Sequence, residues 1–268
     1  MLIDTTVHHL PVSLAMLDSL FKAPERDEWT RIILRWLHFV AGITWIGLLY
    51  FFNLVNVPLQ KKLDAETKKK VNPDLLLPAL WFFRWGALLT VLAGLTYFAM
   101  FIMASDVNNA NTIGGAHLNV WVVLLEWLSY PIVLFIVEFL IIKKVPALIK
   151  DGRVFAIVML ILVGLVTFGL LKFFESKFTI GGYVPSNKLY SIGVGGAYGI
   201  VMLLNVWGII WPNNKRGIAA LQGGPPAAPE LARQAFIASR TNAWMSLPML
   251  LFMATSHGDW LIFSGKSG

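Results

Sequence analysis

Residues 35–52 read RWLHFVAGITWIGLLYFF, an apolar run that contains one histidine, His38. A second apolar run near the other end of the chain, SLPMLLFMATSHGDW at 246–260, contains His257. An ionisable side chain at membrane depth is costly, so each histidine is a candidate functional residue. The two runs predict a membrane protein and supply its first two candidate site residues.

The composition of the whole chain agrees with this interpretation. The 268 residues are 57% hydrophobic and 14% charged, whereas a soluble domain carries about a quarter charged residues. We predict an all-α, polytopic transmembrane helix bundle of about six spans. The bundle (31–263) would follow an outer or interfacial N-terminal segment (1–30) and precede a short tail (264–268). The predicted spans are 31–56, 77–103, 119–143, 154–174, 189–211 and 241–263.

The charges of the loops predict how the bundle is oriented. Lysine and arginine are concentrated in the loops 57–76, 144–153 and 212–240, whereas the loop 104–118 has no basic residue. The positive-inside rule then places the three basic loops in the cytoplasm of a bacterial inner (cytoplasmic) membrane and both termini outside. Since these loops hold most of the basic residues, the net charge of +7 does not indicate nucleic-acid binding.

With this orientation, three ionisable residues share one layer near the outer face. His38 lies about seven residues into the first span, hence roughly 10 Å deep. His257 lies at a similar depth before the outer end of the last span, and Glu126 lies at that depth in the third. Their common depth predicts a site between helices at the outer end of the bundle.

A b-type haem is the cofactor that these residues predict. Paired histidines on different helices are standard axial ligands of electron-transfer haems, so we expect His38 and His257 to bind the haem iron. Arg35 and Arg31 lie about one and two turns above His38, where their guanidinium groups could bind the haem propionates. Trp45 lies on the same helical stripe as His38 and would pack against the ring.

Other interpretations of these residues stay open. The histidines could simply hydrogen-bond neighbouring helices, and the outer aromatic layer would also accept a quinone. Glu126 could exchange protons beside the cofactor, pair with Arg35 or hydrogen-bond Tyr130. Near the inner face, Arg84 and Glu138 fall at comparable height on consecutive predicted spans, which predicts a buried ion pair.

Several kinds of site are excluded. The chain has no cysteine, which excludes thiolate metal sites, iron–sulfur clusters, disulfides and covalently attached haem c within these residues. It also lacks an HExxH motif, a phosphate-binding loop and a Gly-x-Ser-x-Gly motif. No motif by itself therefore indicates an enzyme.

Three stretches together carry a family resemblance: 35–52, NVWGIIWPNNKRGI at 205–218 and ARQAFIASRTNAWMSLPMLLFMATSH at 232–257. They resemble the membrane domain of the bacterial cytochrome c-linked urate oxidase (urate hydroxylase) family, in the elements WLH-x-x-AGI-x-WIG, NV…I-x-PN-x-K and N-x-x-x-(S/T)LP-x-x-F-x-M-x-S-x-H. A weaker match is FFRWGALLTVLAG at 82–94. His38 and His257 both fall on the family elements.

The resemblance implies oxidation of urate with electrons passed to a c-type cytochrome. The chain departs from the family at several positions. The family glutamate after the tryptophan is Gly86 here, the family histidine near the start of the last span reads Arg240-Thr241-Asn242, and a lysine-rich loop (60–70) replaces a histidine-containing insertion. The family's C-terminal cytochrome c domain is not within these residues, so electron delivery would require a separate cytochrome.

Three functions remain open from the sequence. The first is a redox subunit that holds haem b and exchanges electrons with a c-type cytochrome or a larger respiratory or photosynthetic complex. The second is a urate-oxidising membrane enzyme that uses a separate cytochrome c. The third is a cofactor-free accessory subunit whose small-residue and aromatic faces pack against a larger membrane complex.

Overall fold

A computed structural model describes residues 24–257 and 261–263 of the chain. Within these residues the fold is all-α, as predicted, and contains no β-strand. The helices are α1 (Arg26–Lys62), α2 (Ala65–Gly114), α3 (Val120–Lys144), α4 (Pro146–Lys150), α5 (Gly152–Phe178), α6 (Asn187–Leu221) and α7 (Pro229–Ala254). The predicted N-terminal segment up to residue 23 and the tail at 264–268 lie outside the described residues.

Three helices extend further than the apolar pattern predicts. The predicted loops 57–76, 104–118 and 212–240 are largely helical, because polar residues continue α1, α2 and α6 beyond their apolar stretches. Each of these helices contains a π-helical segment, a wider turn that is frequent at functional sites. The segments are Phe51–Asn56 in α1, Phe98–Met103 in α2 and Val206–Ile210 in α6.

Five of the described helices are long and apolar enough to cross a membrane: α1, α2, α3, α5 and α6. The chain is therefore a multi-pass membrane protein. Large apolar side chains such as Ile43 and Leu160, each 73% exposed, cover the outside of the bundle, as contact with lipid requires.

The sixth predicted span differs from the helix that the structure contains. Helix α7 begins at Pro229 and ends at Ala254, whereas the prediction ran from 241 to 263. Its buried face includes the polar side chains of Gln234, Asn242 and Ser246, which lower its hydropathy. Because these groups bond to other helices, the buried face of α7 can carry polar residues.

Helix α6 forms the centre of the bundle, and its glycines let three other helices approach closely. The ring of Phe174 from α5 occupies the space where a side chain on Gly193 would lie, and the Gly193 carbonyl accepts a 3.0 Å hydrogen bond from Trp127 Nε1 of α3. A Cβ on Gly195 would lie 3.2 Å from the backbone oxygen of Met249 in α7. These contacts fix α7 and α3 relative to α6.

Candidate functional site

Here the outer end of the bundle means the end that carries His38 and His257. His38 lies about three turns along α1 and faces α2. Its Nδ1 donates a 2.8 Å hydrogen bond to the backbone oxygen of Thr90. Gly94 lies beside the ring, since a Cβ there would be 2.7 Å from both Cε1 and Nδ1 of His38. Because Nδ1 carries the proton, Nε2 is the atom with a lone pair for a ligand, the arrangement usual for metal-binding histidines.

His257 follows the end of α7 and has the same tautomer. The Ser256 hydroxyl donates to the backbone oxygen of Met253 at 2.7 Å, which uses its single proton. The 2.6 Å contact between Ser256 Oγ and His257 Nδ1 therefore requires the imidazole to donate. His257 is exposed, and its Nε2 also keeps the lone pair.

The two arginines predicted at the site have different partners. The Arg31 guanidinium lies 4.4 Å from the centre of the Phe101 ring of α2, a cation–π contact. Partial burial lowers the pKa of His257, and the charges of Arg35 on α1 and Lys188 on α6 lower it further. The Arg35 charge therefore acts on His257 at the outer end, whereas the predicted pairing of His38 with His257 stays a prediction.

Towards the inner end, α1 and α7 are joined by hydrogen bonds. The Tyr50 and Ser246 hydroxyls lie 2.9 Å apart. One turn further in, Asn53 Nδ2 donates to Ser239 Oγ at 2.9 Å, and Asn53 is only 3% exposed. The inner halves of these two helices are therefore in direct contact.

The outer halves of the same two helices carry exposed side chains. Phe39, Ile43 and Tyr50 follow one another at helical spacing on α1, and Phe39 and Ile43 are 60% and 73% exposed. On α7, Leu250 lies one turn outward from Ser246 and is 42% exposed. Exposure thus rises outward on both helices, whose outer halves present apolar side chains to the lipid.

The predicted stripe around Trp45 faces α2 rather than a cofactor site. Trp45 is 1% exposed, and Gly86 of α2 is so near that a Cβ on it would lie 3.4 Å from Trp45 N and 3.3 Å from Ala41 O. The small residues of the stripe therefore let α1 pack against α2. A side chain at position 86 would require its neighbours on α1 to shift by a few tenths of an ångström.

Glu126 has a partner that the sequence did not suggest. Its carboxylate lies 2.7 Å from Lys177 Nζ of α5, in a partly exposed ion pair, rather than against Arg35 or Tyr130. The reason is geometric, since α3 packs against α5 at this end of the bundle. Within the described residues, no group of three or more histidine, aspartate or glutamate side chains could hold a metal ion.

The predicted ion pair between Arg84 and Glu138 is wrong. The Arg84 guanidinium lies 3.9 Å from the centre of the Trp211 ring and 5.2 Å from that of Trp207. Glu138 instead accepts a 3.0 Å hydrogen bond from Asn205 Nδ2. Asn205 and Trp207 are two residues apart on α6, hence on roughly opposite faces, so α6 separates the two charged groups.

Sequence reasoning also missed a second polar site, in the inner half of the bundle. It consists of Glu138 on α3, Asn205 on α6 and Asn242 on α7, called here the carboxyl–amide cluster. Asn205 Nδ2 donates to both Glu138 Oε2 and Asn242 Oδ1, each at 3.0 Å. The available signal was that each asparagine begins one of the family elements quoted above.

Comparison with known proteins identifies the family. The family model described as "Urate oxidase N-terminal" matches residues 25–75 and 63–266, which together include nearly all of the described structure. No curated protein and no solved structure matches the chain. The match includes every helix of the bundle and both histidines of the outer end, and so the chain belongs to the urate oxidase N-terminal family, as a urate-oxidase-related membrane protein.

Proposed function

We propose that this chain is a redox subunit of the bacterial inner membrane that binds a b-type haem at its outer end through His38 and His257. One observation carries the proposal. Both imidazoles donate from Nδ1 to the protein, so both keep Nε2 for the iron. Two histidines from different helices are what a six-coordinate electron-transfer haem needs.

The surroundings of the histidines fit this group. The Thr90 carbonyl and the Ser256 hydroxyl hold the two rings in one tautomer. Arg35 lies near enough to His257 for its charge to act on the imidazole, so it supplies a positive charge there for a propionate. Trp45 is buried against α2 and has no part in binding. When bound, the haem would supply one-electron transfer.

The electron partner that we propose is a c-type cytochrome or a larger respiratory or photosynthetic complex. The 268 residues contain no cysteine, so a covalently bound haem c has to lie outside them. A haem at the outer end would be close to the periplasmic surface, where such a partner docks.

The first test is a reduced-minus-oxidised visible spectrum of the protein purified in mild detergent from cells with ample haem. We expect a b-type spectrum that is lost in His38→Ala and in His257→Ala. His117→Ala is the matched control, since His117 is an exposed histidine between α2 and α3 at the same end. A colourless wild-type protein would overturn the haem proposal and favour a cofactor-free accessory subunit.

Urate oxidation is the second candidate, favoured by the family match. Hydroxylation of urate with an oxygen atom from water releases two electrons and two protons, so one urate would reduce two molecules of cytochrome c. The test is urate consumption by the purified protein with added cytochrome c. A haem spectrum without urate turnover would leave the redox subunit, and turnover would identify the enzyme.

A further inference from the structure

The Glu138 side chain is a carboxyl group that the proposed haem site does not use. It is 0% exposed, on a helix that crosses the membrane, and no salt bridge to it occurs among the described residues. An ionised carboxylate without a cation in such surroundings costs several kcal/mol. Burial therefore favours the form of Glu138 that carries a proton.

The two asparagines are arranged to serve both forms of the carboxyl group. Asn205 Nδ2 donates to Glu138 Oε2, which stabilises the carboxylate. Asn242 Nδ2 donates to the backbone oxygen of Met202 at 2.9 Å, which fixes its orientation. Glu138 Oε1 and Asn205 Oδ1 are both buried acceptors without a hydrogen-bond partner. Buried polar atoms rarely lack a partner, and a proton on Glu138 would convert one acceptor into a donor.

A second polar group lies closer to the inner end on the same three helices. It consists of Lys143 on α3, Asn213 on α6 and Gln234 on α7, called here the inner polar layer. Gln234 Oε1 accepts from Lys143 Nζ at 2.7 Å and from Asn213 Nδ2 at 3.2 Å. Spacings of five to eight residues put this layer about 8–12 Å from the carboxyl–amide cluster.

The space between the two groups is apolar and contains an irregular helix segment. Ile142, Ile209 and Ala238 are each 0% exposed there. The π-helical segment Val206–Ile210 follows Asn205 directly and lies between the two polar groups on α6. Such wide turns occur at functional sites, and this one provides a place where the packing between the layers can rearrange.

We propose that the carboxyl–amide cluster is a proton-binding site, which exchanges its proton with the inner end of the bundle through the inner polar layer. The nearest charged group on its own helix is Lys143, five residues further in, whose Nζ donates to Gln234 Oε1. Helices α6 and α7 present amides to it, and α5 has no titratable residue between 154 and 171. Arg84 of α2 is held by tryptophans on the opposite face of α6. The proposal is independent of a haem at the outer end.

Infrared spectroscopy tests the site directly. We expect the C=O band of a protonated carboxyl group at neutral pH in wild-type protein in liposomes, lost in Glu138→Gln and retained in Glu126→Gln. Glu126 is the matched control because it is a partly exposed, ion-paired glutamate on the same helix. Asn205→Leu should shift the band, since it removes the hydrogen bond to Oε2. A band that is absent from the wild type, or unchanged in Glu138→Gln, would overturn the proposal.

The route to the inner end has its own measurement. On transfer to D₂O, the Glu138 band should shift as the proton exchanges, and Asn213→Leu should slow this exchange several-fold. Asn214→Leu is the control, because the Asn214 amide bonds locally to the Ile210 carbonyl. Equal exchange rates in the two variants would overturn the route. Loss of the band on addition of sodium at constant pH would overturn the proton assignment and identify a metal-cation site.

Discussion

The outer end of the bundle and the carboxyl–amide cluster hold polar side chains in opposite ways. At the outer end, His257 is exposed and bonds to its neighbour Ser256. In the inner half, Glu138 is fully buried and bonded to Asn205, which also bonds to Asn242. Polar groups that are buried and mutually bonded specify how helices pack, whereas an exposed imidazole remains able to bind a ligand.

This difference implies a division of roles between the two regions. Substitutions in the carboxyl–amide cluster should change the stability of the bundle and leave the outer site intact. Substitutions around the histidines should change ligand binding more than stability. Three substitutions test this division of roles, and their expected effects decrease from Asn205→Ala through Gly94→Ala to Arg35→Gln.

Asn205→Ala should have the largest effect on stability. It leaves Glu138 Oε2 and Asn242 Oδ1 without their donor, at a cost of about 1–3 kcal/mol for each buried group left unpaired. We expect a lower unfolding temperature in detergent and an unchanged haem spectrum. Asn214→Ala is the control, because its amide bonds only within its own helix and its loss should cost about 0.5 kcal/mol or less. Equal destabilisation by the two variants would contradict a special role for the cluster.

Gly94→Ala should act on the outer end through His38. The added Cβ would lie 2.7 Å from the His38 ring, so the ring must move and weaken its hydrogen bond to Thr90. We expect a net destabilisation of about 1–2 kcal/mol, because overpacking outweighs the helix preference of alanine. The spectrum of bound haem should shift or be lost as well. Gly47→Ala is the control, since no atom lies within 4 Å of the added Cβ.

A stable Gly94→Ala variant with an unchanged spectrum would contradict the proposed difference between the outer site and the carboxyl–amide cluster. It would mean that the position of the His38 ring does not matter to the outer site. The haem ligands would then have to be sought elsewhere.

The sequence predicted the two regions unequally. Apolar length predicted the membrane helices, because hydropathy reports what a membrane requires of each segment by itself. His38 and His257 were found in the same way, as single ionisable residues in apolar runs. Their tautomers were not predictable, because these depend on Thr90 and Ser256, which the fold brings into contact with the rings.

The wrong side-chain partners have a common physical cause. The depth of a residue in the membrane does not determine which helices lie beside it. Arg84 and Glu138 were matched by height alone, but α6 lies between them. Glu126 was matched with residues of α1 and α3, whereas its partner Lys177 lies on α5. The last span was predicted to begin at 241 rather than at Pro229. Its buried Gln234 lowers the hydropathy of the first turns without exposing them to water.

Arg35→Gln should have the smallest effect, on the titration of His257. Partial burial and the charges of Arg35 and Lys188 lower the pKa of His257 from its ordinary value near 6.5. We expect the pKa of His257 to rise in Arg35→Gln. It should rise less in Lys188→Gln, because the Arg35 charge contributes more to the lowered pKa than the Lys188 charge does. Histidine NMR on haem-free protein measures this, with Arg26→Gln as the control at the start of α1.

The sign of the shift connects this titration to stability and to ligand binding. Between the lowered pKa of folded His257 and its ordinary value, the unfolded chain binds more protons, so stability rises with pH across that window. Arg35→Gln should narrow the window from its acid side. A lowered pKa also keeps Nε2 of His257 unprotonated, hence able to bind iron, at a more acid pH. If the pKa of His257 is the same with and without Arg35, then Arg35 is not close enough to His257 to serve the same bound group, and its proposed contact with a propionate would be wrong.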